Sequence, residues 1–204
     1  MARSDKDRYL EALQHARVAR GLLNFHASMA KPAGDYAERL GIRDGLQADN
    51  LRYALSREHS RGKVFAFAHN SHLKRGKAEW QLGPELVTWW PAGSQLGETM
   101  GGRYAVIGTG LGVSEANGIG SPEAGTLEAR LTATPGPMRF IPTYRGQDLS
   151  ASEIANLPIR TSSQKNPTYF PFTSQSLTDF DWLAIVDATG YHRGGLPLTE
   201  WDAS

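Results

Sequence analysis

The sequence predicts an α/β fold in which a mixed, largely parallel sheet is flanked by helices. Three observations carry that expectation. Val64-Phe65-Ala66-Phe67-Ala68 is a run of five apolar residues between Lys63 and His69-Asn70-Ser71-His72, the pattern of a strand buried on both faces. Trp182-Leu183-Ala184-Ile185-Val186, closed by Asp187, is a second such run, and Tyr104-Ala105-Val106-Ile107 is a third. Stretches with apolar residues at helical spacing precede and separate them. Ligands of open α/β sheets bind just beyond the carboxyl ends of the strands. The chemistry is therefore expected at His69 to His72.

The 204 residues are enough for one core. We divide the single expected domain into a leading helix and turn (1–34), a main body (35–190) and a tail (191–204). A net charge of +1 offers no electrostatic attraction to nucleic acid or to an acidic membrane. The chain has no cysteine, which removes disulfides, thiolate metal sites and Cys nucleophiles and fits a reducing compartment. Its first eight residues are charged and lack the apolar core of a signal peptide. No segment approaches the ~20 apolar residues of a membrane helix. A soluble, cytoplasmic protein is expected.

In chain order, Ser4 with Asp7 marks a helix start. Leu10, Leu13, Ala16, Ala19 and Leu23 then recur every three or four residues, a helix to about Phe25 with Gly21 as its weak point. His15 and His26 sit in or near it and take a solvent-facing or packing role. Lys31-Pro32-Ala33-Gly34-Asp35 forms a turn. A second helix from about Gly41 to Glu58 has Ala48, Leu51 and Leu55 on one face and Arg43, Gln47 and Asn50 on another. That polar stripe is either a solvated surface or the floor of a polar cleft.

After the first apolar run, Leu73 to Trp90 is broken at Gly83-Pro84. Trp80, Trp89 and Trp90 either line an apolar pocket or pack as core and rim. A short helix over Ser94–Met100 follows. Gly108-Thr109-Gly110-Leu111-Gly112 invites a dinucleotide-loop reading that fails on spacing, because the third glycine position falls on Val113 or Glu115. These glycines instead permit a tight loop with close backbone approach. The alternation of Leu127, Ala129 and Leu131 with polar residues predicts a half-exposed strand, with Met138–Ile141 pairing back on it. Residues 142–176 read as loops, with a short helix near Ala151 to Leu157.

Three readings of His69 and His72 compete on the residues alone. A metal site needs a third ligand, and neither Glu79 nor Glu98 stands at a recognisable spacing. An acid/base or oxyanion-stabilising pair suits imidazole, which titrates near neutral pH. A structural turn made by Asn70, with both rings bonded to backbone, is the third. No G-x-S-x-G elbow is present to supply a serine nucleophile.

Arg43-Asp44 followed by Ala48-Asp49-Asn50-Leu51, then Gly62-Lys63 and Ala68-His69-Asn70-Ser71-His72, resembles the erythromycin esterase family. Its members typically show R-D-x-x-M-A-x-N-L, then G-K-V and A-H-N-x-H. Gly93-Ser94-Gln95-Leu96 and Ile107-Gly108-Thr109 look like the family's next helix and strand. The likeness runs from about Tyr36 to Asp187. It implies an α/β hydrolase that opens a macrolide lactone by His-assisted water attack, without a covalent intermediate, cofactor or obligatory metal. On that analogy His69 and His72 orient substrate or stabilise the oxyanion, and Arg43, Asn50 and Asn70 bind substrate. The family's amino-terminal G-E-x-x-H segment, which supplies the base, has no counterpart here, since Gly97-Glu98 runs into Met100-Gly101. Gln47 also stands where the family has Met, and Gly45 lies within the helix. The chain thus resembles a carboxyl-terminal half, incomplete relative to the family, with a separate amino-terminal half as a possible partner. The alternative function is a macrolide- or ester-binding module that lacks the base.

Overall fold

Helix α1 (Asp5–Met29) begins where Ser4 accepts a hydrogen bond from the Asp7 N–H, with Asp5 and Asp7 favouring the positive helix end. The computed structural model describes residues 4–31, 36–147 and 150–190. Most of the expected turn at 31–35 and all of the 191–204 tail lie outside them. Helix α2 (Tyr36–Glu58) packs on α1. Gly21 is where the two approach most closely, because a Cβ there would lie 2.1 Å from the Leu46 Cδ2. The helix-weakening glycine is thus used for packing.

The run Val64–Ala68 departs from expectation. It is extended but joins no strand, and Phe65 and Phe67 are 86% and 85% exposed. Five consecutive apolar residues specify burial on both sides, yet only the side of Val64, Ala66 and Ala68 is partly buried, while that of Phe65 and Phe67 is exposed. A single helical turn, α3 (Asn70–Leu73), follows.

The Trp-rich stretch is a hairpin. Strands β1 (Ala78–Leu82) and β2 (Glu85–Trp89) pair antiparallel around Gly83, whose φ of +59° suits a tight turn. Trp89 is buried with Ala78 and Val87, and Trp80 packs against them, while Trp90 is 55% exposed beneath the Lys77 ammonium. The tryptophans therefore divide between core and rim. Helix α4 (Ala92–Met100) and the hairpin both rest on α2.

The main sheet has the order β3-β5-β4, from Ile107–Val113, Trp182–Ala188 and Met138–Pro142. β3 and β5 are parallel, whereas β4 and β5 are antiparallel. The glycine-rich segment expected to be a loop is strand β3 itself. Cβ atoms at Gly108 and Gly110 would lie within 2.8 Å of Phe180 and 2.5 Å of Phe172, so the glycines admit those rings to the core. Residues Leu127–Thr132, expected as a strand, form helix α5, capped by the Thr126 side chain. Leu127, Glu128 and Leu131 share its buried face, a spacing that serves a helix equally well. With no strand there to pair with, Met138–Pro142 pairs with β5 instead. Short helices α6 (Ala151–Ala155) and α7 (Ser176–Asp179) complete the chain, α6 with a full capping box from Ser150 and Glu153. Val106, Phe172, Phe180, Leu183 and Ile185 form the larger core.

Candidate active site

The site assembles where α2, α3 and the start of α4 meet. Arg43 and Asp44 are neighbours on α2 that point apart, Arg43 exposed and Asp44 fully buried. The Asp44 carboxylate accepts the Trp89 Nε1–H at 2.6 Å, the Ala92 N–H at 3.2 Å, and His72 Nδ1 at 2.9 and 3.1 Å. On the far side of the same ring, His72 Nε2 lies 2.9 Å from Arg43 Nη1. A guanidinium only donates, so Nε2 is the acceptor and Nδ1 carries the proton that Asp44 receives. His72 is thus held as the Nδ1–H tautomer, bridging a buried carboxylate and a surface cation.

His69 has the opposite tautomer. Its Nε2 is 3.0 Å from the Thr168 carbonyl, which only accepts, so Nε2 bears the proton. Nδ1 then accepts from the Ser71 N–H at 3.2 Å and the Ser71 hydroxyl at 2.8 Å, capping α3. The ring meets Phe170 edge-on, with centroids 4.9 Å apart. Burial pushes the His69 pKa below its ordinary value, the Thr168 bond opposes this, and nearby His72 adds to the lowering. The two imidazoles stand 6.4 Å apart, centroid to centroid.

Asn70 faces β3. Its amide donates to the Thr109 carbonyl at 2.7 Å and accepts the Thr109 N–H at 2.9 Å. It thus occupies one pair of main-chain groups on the β3 edge, as a neighbouring strand would. Asn50 lies apart, accepting from Gln14 of α1 at 2.8 Å. Of the five expected residues, His69, His72, Arg43 and Asn70 gather here and Asn50 serves the α1–α2 junction.

Sequence reasoning gave no role to Asp44, Ser71 or Thr168. Asp44 had a usable signal, since an Asp beside the polar stripe shares the apolar face of α2 with Ala48. Thr168, 99 residues from His69, left none. Behind Thr168, the Tyr169 hydroxyl lies 3.4 Å from Oε1 of the fully buried Glu128 and 3.3 Å from the Leu111 N–H. Arg160, 2% exposed, donates to the Leu111, Gly112 and Gly120 carbonyls. Burial raises the Glu128 pKa and pushes that of Tyr169 up to about 12. This network fixes the loop that holds His69.

Neither histidine keeps a free lone pair. Asp44 buttresses His72, and Arg43 presents the rest of its guanidinium outward, an arrangement that receives negative charge rather than abstracts a proton. Two clefts of about 620 and 530 Å³ lie elsewhere, one beside Arg75 and Tyr104 and one between α1 and α2, and neither is lined by His69 or His72. At the histidine site Arg43 and His69 are exposed, while the His72 ring is largely buried. Among the described residues no three His, Asp or Glu side chains cluster closely enough to hold a metal. None of the described helices is long and apolar enough to cross a membrane.

A crystal structure of a Bacillus cereus protein shares the fold with a TM-score of 0.60 at 16% identity, covering 87% of this chain and 44% of that one. A succinoglycan biosynthesis protein matches with a TM-score of 0.50 at 20% identity, covering 90% of this chain and 51% of that one. The chain therefore spans about half the length of the solved structures it matches. No curated protein matches it. Erythromycin esterase is the family matched over residues 1–189, nearly the whole chain and every residue of the site, and the chain belongs to that family.

Proposed function

We propose that this chain supplies one wall of the active site of an ester hydrolase that opens a macrolide lactone or a related carboxylic ester by water attack. The observation that carries the reading is the Asp44–His72–Arg43 chain, with His72 2.9 Å from each partner. Asp44 fixes the His72 tautomer, and His72 in turn aims the Arg43 guanidinium. A positioned cation contributes most where charge develops, here on the carbonyl oxygen as water adds. His69 and Asn70 hold the turn that carries His72, and Asn70 joins it to β3. In this reading the proton-abstracting base comes from outside these residues, because both histidine lone pairs are engaged. Family membership supports the ester chemistry, and the exposure of Arg43 and His69 supports a wall completed by further polypeptide. A cytoplasmic location accords with it.

The test is to incubate the chain with a macrolide, alone and with a complementary half of the fold supplied separately, and to look by mass spectrometry for the gain of one water. Product in either mixture is expected only with Arg43 and His72 intact. No product in either removes the hydrolase reading. The occupied lone pairs also favour a second reading, a binding module without turnover. Calorimetry showing macrolide binding that Arg43→Ala weakens, with no water gained, would establish it.

A further inference from the structure

The main sheet has two apolar faces, and on one of them only the small Ala184 is buried while the large side chains are exposed. Residues opposite each other in a ladder point to the same side. Ile107, Trp182 and Pro142 therefore form one row of the outer face, and Thr109, Ala184 and Phe140 the next. Ile107, Trp182, Phe140 and Met138 are 44%, 43%, 57% and 51% exposed, whereas Leu183 and Ile185 on the other face are buried at 1% and 0%. The segment 64–68 runs up to the edge of this sheet, because Asn70 just after it is bonded to Thr109 of β3. Its main-chain groups have no hydrogen-bond partner among the described residues, and Phe65 and Phe67 project from it. An unpaired strand edge and an uncovered apolar face so close together mark an interaction surface.

We propose that this surface docks a complementary half-domain, a polypeptide that pairs a β-strand with residues 64–68 and lays an apolar layer over Ile107, Phe140 and Trp182. The occupant follows from the length of the solved structures that share the fold. Solved structures of this fold are about twice as long, and the superposed part accounts for only 44% and 51% of them. An apolar sheet face is stable when it is buried against another layer, and the two openings here are a strand edge and an apolar sheet face. The surface also leads into the candidate site, because His69 and Asn70 directly follow the unpaired segment and Asn70 is bonded to Thr109 of β3. Docking would bring new side chains to the exposed side of His69 and Arg43. This deepens, and rests on, the reading of the chain as one wall of a two-part site.

The probe is the half of the Bacillus cereus protein outside the superposition, produced as a separate polypeptide and mixed with the 204-residue chain. Sedimentation velocity should show a one-to-one complex, and the amides of residues 64–68 should exchange at least about tenfold more slowly within it. Phe67→Asp and Phe140→Asp, both at exposed positions, should each weaken the complex about tenfold or more while leaving the thermal unfolding of this chain alone unchanged. Absence of a complex overturns the proposal. So does a dimer of this chain that Phe140→Asp dissolves, because a second copy would then own the face. A complex that adds no water to an ester sustains the docking and removes the hydrolase reading. Turnover by the chain alone keeps the hydrolase reading and overturns the docking.

Discussion

His69 and His72 are two residues apart in one turn, and they are held in opposite ways. His69 is bound by backbone and a neighbouring hydroxyl, with Nε2–H donating to Thr168 and Nδ1 receiving from Ser71. His72 is bound by charges, with Nδ1–H donating to buried Asp44 and Nε2 receiving from Arg43. A ring whose partners are main-chain groups fixes the path of the chain. A ring set between a carboxylate and a cation transmits orientation from one to the other. In the proposed function, that difference makes His69 a builder of the site and His72 part of its electrostatics.

Removing the charge behind His72 would break this comparison most severely. Asp44→Ala leaves Trp89 Nε1, the Ala92 N–H and His72 Nδ1 without their acceptor in a buried site. Each buried group left unpaired costs about 1–3 kcal/mol, so a loss of roughly 3 kcal/mol or more is expected in urea denaturation. A loss below about 1 kcal/mol would mean that the His72 side does not depend on Asp44.

The two histidines should then separate by which property each one changes. His69→Ala removes the cap of α3 and the Thr168 contact, costing about 1 kcal/mol with Arg43 still aimed by His72. His72→Ala frees exposed Arg43 but also takes a donor from the buried Asp44 carboxylate, so it should cost about 1–3 kcal/mol, and it should lower ester turnover by the completed site about 10²-fold, the scale of a lost oxyanion donor. Paired denaturation and rate measurements decide it. Equal effects of both substitutions on both properties would dissolve the distinction.

Much of this was legible in residue order. The helices α1, α2 and α4 and strand β5 follow from spacing, caps and a continuous apolar run, which are local signals. The motif placed His69, His72, Arg43 and Asn70 together. The failures share one cause, because each depended on a partner distant in sequence. Val64–Ala68 carries the composition of a central strand, but a strand exists only when another pairs with it. Leu127–Thr132 alternates like a strand, yet its burial on Leu127, Glu128 and Leu131 is set by Phe172 and Ile185, more than 40 positions away. Asn50 lies on the same stripe as Arg43, and Gln14 of α1 decides which way it serves. The acceptor for His69 is a main-chain carbonyl, a group every residue owns, so no side-chain pattern announces it.

The smallest effect is the pH dependence of stability that the burial of His69 confers. In the folded chain His69 is neutral, with Nδ1 facing the Ser71 N–H, a donor that a protonated ring would oppose. Burial lowers its pKa from the ordinary value of 6.5. Between the folded and unfolded values the unfolded chain binds more protons, so stability rises with pH across that window. The contribution is fully present above about 6.5 and lost as pH falls through it toward the folded value. Glu123, held at about 2 by its bonds to Thr161 and Ser162, titrates in the fold well below this window. His69→Asn keeps an acceptor that caps α3 and removes the titration. The difference in unfolding free energy between the two chains should therefore shrink as pH drops from 7.5 to 5.5. A difference that stays constant over that range would mean that folding leaves the proton affinity of His69 unchanged, and that its ring is not held by burial against Thr168 and Ser71.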